Sequence, residues 1–143
     1  MISLSRPTII AAGLGGLLWT VKALVITAND GSFDPLENVF FIGGLLSLVA
    51  AAVLLGLDVT RRLHGVRRAG AAIAAAVAAI GASLLVEALG KSAVAALASG
   101  SNVGLEQEGG ILCCGLAWLA LAGAALSQRT RTVGPASPAK IAR

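Results

Sequence analysis

The sequence predicts an all-α membrane protein: four transmembrane helices in an up-down bundle, with both termini cytoplasmic. Three observations carry that prediction. The 143-residue chain is 57% hydrophobic and 13% charged, where soluble domains carry about 25% charged residues. Its apolar residues gather into runs of the ~20 residues that a bilayer core of about 30 Å demands. The segments between those runs alternate in charge sign along the chain. A soluble domain of this size has too small a core to bury such runs.

The first run is Thr8–Ala28, broken only by Lys22. Pro7 suits a helix start, where its missing N–H costs nothing. Ala12 and Gly16 form a small-xxx-small pair of the kind that lets helices approach closely in lipid. A basic head with Arg6 and the triplet Ile26-Thr27-Ala28 resemble a secretory signal and its cleavage site. Signal h-regions are only about 7–15 residues long, whereas this run spans a bilayer and holds Lys22 just before the triplet, so it is read as a retained span. Asn29–Glu37 follows as an acidic, turn-rich loop with Asp30, Gly31, Asp34 and Pro35. The second span is Asn38–Leu57, and Asp58–Ala69 is a basic loop holding Arg61, Arg62, His64, Arg67 and Arg68. Gly70–Ala98 is the third span, Ser99–Glu108 a second acidic loop, and Gly109–Ser127 the fourth span. Residues 1–127 thus form the transmembrane domain. Residues 128–143, with Pro135, Pro138, Arg129, Arg131, Lys140 and Arg143, read as a disordered basic tail.

Every Arg and Lys outside the apolar runs lies in the head, the middle loop or the tail, while the other two loops hold Asp30, Asp34, Glu37, Glu106 and Glu108. Basic loops stay on the cytoplasmic side, which sets the head, the middle loop and the tail inside. An even number of spans is then required, and hydropathy independently supplies four. The same distribution accounts for the formal net charge of +4 without nucleic acid: the basic residues sit in short inter-span segments and serve topology and anionic headgroups.

Lys22, Glu87 and Lys91 are the ionisable residues inside the runs, and they form the candidate intramembrane polar cluster. A charge at the bilayer centre costs about 2.5–3.5 kcal/mol on insertion scales, so their depth matters. Counting from the cytoplasmic starts of their spans, Lys22 lies roughly 20 Å up, Glu87 roughly 25 Å, and Lys91 near the outer boundary. Residues four apart share a helix face. Glu87 continues the small-residue row Ala71, Ala75, Ala79 and Ser83, beside Ala74, Ala78 and Ala82, so it is expected to face the bundle. Glu87 and Lys91 also stand in the favourable Glu-before-Lys i, i+4 order. Three readings follow: a neutralising pair with lysines that snorkel outward, a polar vestibule open to the outside for a small ligand, an ion or a proton, or a docking point for a partner subunit.

Cys113 and Cys114 are adjacent and do not make a disulfide framework; Cys113, on a face with Ala117, Ala120 and Ala124, is expected to pack between helices. No span contains His and the only Met is Met1, which leaves haem without axial ligands; no cofactor or metal is expected. Trp19 and Trp118 fall near mid-bilayer and read as packing residues. No phosphate loop or nucleophile–histidine pair is present, and these absences point away from an enzyme.

The run Gly15-Gly16-Leu17-Leu18-Trp19-Thr20-Val21-Lys22-Ala23, with Asn29-Asp30-Gly31 after it, resembles small uncharacterised four-span membrane proteins of high-GC bacteria. That resemblance implies a multi-pass protein of a bacterial plasma membrane and brings no activity with it. Four spans and a lone membrane carboxylate also resemble the small multidrug resistance transporters. Those carry the carboxylate in the first span among aromatic side chains; here the first span carries Lys22 and the chain has no Tyr, so no residue role transfers. The expected role is a structural or accessory membrane subunit, alone with lipid, with a second copy or with a partner membrane protein. The alternative is a small transporter or proton-coupled carrier using Glu87.

Overall fold

The computed structural model describes residues 4–29, 31, 35–98, 100 and 102–132. They form four helices: α1 (Arg6–Ala28), α2 (Pro35–Val59), α3 (Gly65–Ala98) and α4 (Val103–Thr132). All four are long and apolar enough to cross a membrane. Among the described residues there is no strand. The all-α, four-span prediction therefore holds, and the helices run past the predicted span limits.

The extensions have local causes. At the start of α1, the Ser5 side chain caps the helix, accepting from the Thr8 N–H, and proline occupies the first turn. Pro35 opens α2, which takes Glu37 into that helix's first turn. Gly65, at φ +59°, adopts a left-handed backbone that disfavours a Cβ, and α3 starts there, ahead of Gly70. Asn102 caps α4: its Oδ1 accepts from the Leu105 N–H at 2.8 Å, as N-cap side chains do. Glu106 and Glu108 therefore lie on α4 and not in a loop. The predicted tail is corrected at its start, since 128–132 continue α4; 133–143 lie outside the described residues.

Each helix runs antiparallel to the next. Ser5 and Thr8 of α1 reach Asp58 of α2 at one end, and Trp19 reaches Phe41 further along. On the other flank of α1, Arg129 of α4 donates to the Leu4 carbonyl, while near the opposite end Lys22 meets Glu108. α3 completes the ring between α2 and α4; α1 and α3, and likewise α2 and α4, bring no pair of Cα atoms within 8 Å among the described residues. The first and last described turns consequently share one end of the bundle with the α2–α3 connection, the arginine-rich end. The two acidic connections share the other.

The core follows the chain's small residues. α1 and α4 cross at Gly16 and Gly115, where a Cβ on Gly16 would lie 2.7 Å from the Gly115 carbonyl oxygen. Gly44 of α2 sits flat against the Trp19 indole. Trp19 stacks on Phe41 with ring centroids 5.9 Å apart, and its Nε1 donates to the Phe41 carbonyl at 3.2 Å. Trp118 is buried too and donates to Ser83 Oγ at 3.0 Å. Both indoles thus pack inside the bundle.

Candidate functional site

The polar centre of the bundle lies toward the acidic end. Lys22 of α1 is 7% exposed at its side chain, and its Nζ donates to Glu108 Oε2 at 2.6 Å; the Glu108 side chain is 15% exposed. The ammonium also stands 5.5 Å from the centroid of the Phe41 ring, inside the reach of a cation–π attraction. Among the described residues this is the one ion pair, and it bridges α1 and α4.

Glu37 lies on the same side of α2 as Phe41. The positions Glu37, Phe41, Gly44 and Leu48 recur at the spacing of a single helix face, and this face is turned to α1: Phe41 and Gly44 touch Trp19, and Leu48 touches Gly15. Glu37 is 0% exposed, and neither carboxyl oxygen has a hydrogen-bond partner among the described residues. Buried polar groups are nearly always paired, so this carboxyl is the outlier among the described residues.

The predicted cluster comes together differently from the expectation. Lys22 takes its partner from α4, not from α3. Glu87 and Lys91 form no ion pair among the described residues; Lys91 is exposed, and the i, i+4 pairing is corrected on that ground. Glu87 is half-buried, with its Cγ against Gly110 of α4, and it lines a small cavity of about 60 Å³ with Trp19, Leu48, Ser83 and Trp118. α3 is held there because Gly90 admits Cys113 and Gly109 admits Val94 at van der Waals range. Cys113 is half-buried in that seam, and Cys114 is the more buried thiol at 1%. The core face of α4 is thus Cys114, Trp118, Ala122 and Ala125, and Ala117, Ala120 and Ala124 are exposed.

Two acids were not among the predicted site residues. Hydropathy alone puts Glu108 in a loop, whereas Asn102 as a cap followed by Glu106 is a legible helix start. Hydropathy alone likewise puts Glu37 in a loop, whereas Pro35 at a first helical position marks a start two residues before it. With both helices extended, Lys22 and Glu108 stand together as a pair, and Glu37 lies on the α2 face that also carries Phe41. No group of three His, Cys, Asp or Glu able to hold a metal comes together among the described residues. Compared with known proteins, the chain matches no family model, no curated protein and no solved structure.

Proposed function

We propose that this chain is a structural or accessory subunit of a cell-membrane assembly, non-enzymatic, with both termini in the cytoplasm. The supporting observation is the outward face of α3. Its outermost row reads Gly70, Ala74, Ala78, Gly81, Leu85, Ala88, Ser92 and Ala96, and every member is exposed. Nothing lies within 4 Å of a Cβ built on Gly70 or Gly81. The exposed rows of α1 and α2 are instead built of large side chains, such as Ile10, Leu14, Leu17 and Leu24, or Val39, Ile42, Leu46 and Val53. Large aliphatic side chains suit lipid, whereas small residues in a row suit the close approach of another helix, because packing drives association within a bilayer.

The test is co-purification of the full-length protein from its native membrane in mild detergent. A second copy or a partner membrane protein is expected to stay bound. A74L/A78L is expected to release it while leaving yield and helicity unchanged. A wild-type chain that elutes alone and monomeric sinks the reading.

A second reading, a small proton-coupled carrier, is favoured by Glu37, buried with no hydrogen-bond partner among the described residues, and by Glu87 in its cavity. Here Glu37→Gln or Glu87→Gln abolishes flux in reconstituted vesicles at normal expression. Unchanged flux in both variants, or no flux in the wild type, removes this alternative.

A further inference from the structure

We infer that the seam between α2 and α3 is a binding site for one anionic phospholipid, with an acyl chain in the groove and the headgroup on the arginines at its mouth. α2 and α3 form the thinnest contact in the ring. They meet where Gly56 lies against the Ala72 carbonyl and the Ala76 N–H, and they leave beside that contact a groove of about 450 Å³. Val53 and Leu57 form one wall; Ala69, Ile73, Val77 and Ile80 are among the residues of the other. That volume falls within the range of about 300–1,000 Å³ typical of small-molecule sites, and the lining residues carry no charge.

The length of the groove identifies the occupant. From Ala69 to Ile80 the wall rises about 16 Å at ~1.5 Å per residue. One leaflet contributes half of a hydrocarbon core about 30 Å thick, so the groove is as long as one acyl chain is deep. Below Ala69, the lowest lining residue on α3, stand Arg68 and the α2–α3 connection with Arg61, Arg62 and His64. All of them are exposed. The carboxylate nearest this end, Asp58, accepts from the Ser5 N–H at 2.7 Å and from the Thr8 hydroxyl at 2.6 Å and is also drawn to Arg61. Asp58 thus offsets one arginine, and Arg62 and Arg68 remain as excess positive charge at the mouth of an apolar, leaflet-long groove. A phosphate with a single net negative charge and an attached chain complements both parts. A zwitterionic headgroup complements only the second.

The experiment is native mass spectrometry of the full-length protein in mild detergent, titrated with dioleoyl phosphatidylglycerol or dioleoyl phosphatidylcholine. One phosphatidylglycerol is expected to remain bound at detergent levels that strip phosphatidylcholine. Glycerol 1-phosphate, which has the charge without the chain, is expected not to displace it. R62Q/R68Q is expected to weaken phosphatidylglycerol binding on the order of 30-fold, bringing it level with phosphatidylcholine. V77W, which fills the groove at an exposed position, is expected to abolish retention; L89W, on the other face of α3 and outside the small-residue row, is expected to leave it intact. Equal retention of the two lipids by the wild type overturns the proposal, as does displacement by glycerol 1-phosphate. Retention that survives V77W, or is lost equally in L89W, overturns the groove.

Discussion

A lysine at the level of Trp19 and Phe41 needs a carboxylate within reach, and Lys22 finds it on α4 and not on its own or the following helix. Removing one member of a buried pair leaves the other uncompensated, at a cost of about 3–5 kcal/mol, whereas replacing both with apolar side chains is often neutral. Lys22→Met is therefore expected to lower the thermal unfolding midpoint in detergent sharply, and K22M/E108L to recover most of the loss. A double variant no better than K22M would show that the pair is not what couples these positions. Glu37 is the opposite case, a carboxyl with no hydrogen-bond partner to lose among the described residues. Glu37→Gln keeps the shape and removes the potential charge, so the unfolding midpoint is expected to hold or rise by up to a few degrees. A clear fall would mean that the carboxylate is engaged. The helix starts at Pro35 and Asn102 are legible from the residues there, but the burial of Glu37 and the pairing of Glu108 are not, because they depend on which helices meet.

Among the helices, α1 and α4 hold each other most closely, and glycine decides where. A Cβ at Gly16 would meet the Gly115 carbonyl and the Leu119 N–H, neither of which can move aside cheaply, while a Cβ at Gly123 meets nothing within 4 Å. Gly16→Ala is expected to destabilise the bundle by about 1–3 kcal/mol, the cost of overpacking, and Gly123→Ala to leave it unchanged or slightly firmer. Unfolding in a graded detergent series compares the two directly. The first-span glycine was legible as a packing residue from its Ala12–Gly16 spacing. Its partner Gly115 was not, because spacing identifies a small-residue face and cannot say which face it meets.

For the molecule as a whole, the ring order places the arginine-rich connection and both described chain ends together, and the acidic connections opposite. The proposed orientation predicts the outcome of cysteine scanning in a chain with Cys113 and Cys114 replaced by Ala. A cysteine in place of Asn29 is expected to react with a membrane-impermeant maleimide on intact cells, and one in place of His64 only after lysis. The reverse pattern inverts the orientation. The sequence by itself determined the four spans and the separation of charge between the two ends. Lipid and water act on each stretch of chain independently, so hydropathy and loop charge are enough to sort it. Only the tertiary structure decided that Lys22 pairs with Glu108, 86 positions away, that Glu37 is enclosed, and that the row Gly70, Ala74, Ala78 and Gly81 of α3 stays exposed while Ala72, Ala76 and Gly90 pack inward. Those outcomes depend on which helix faces meet, and glycines on separate helices set that by how closely each pair of backbones can approach.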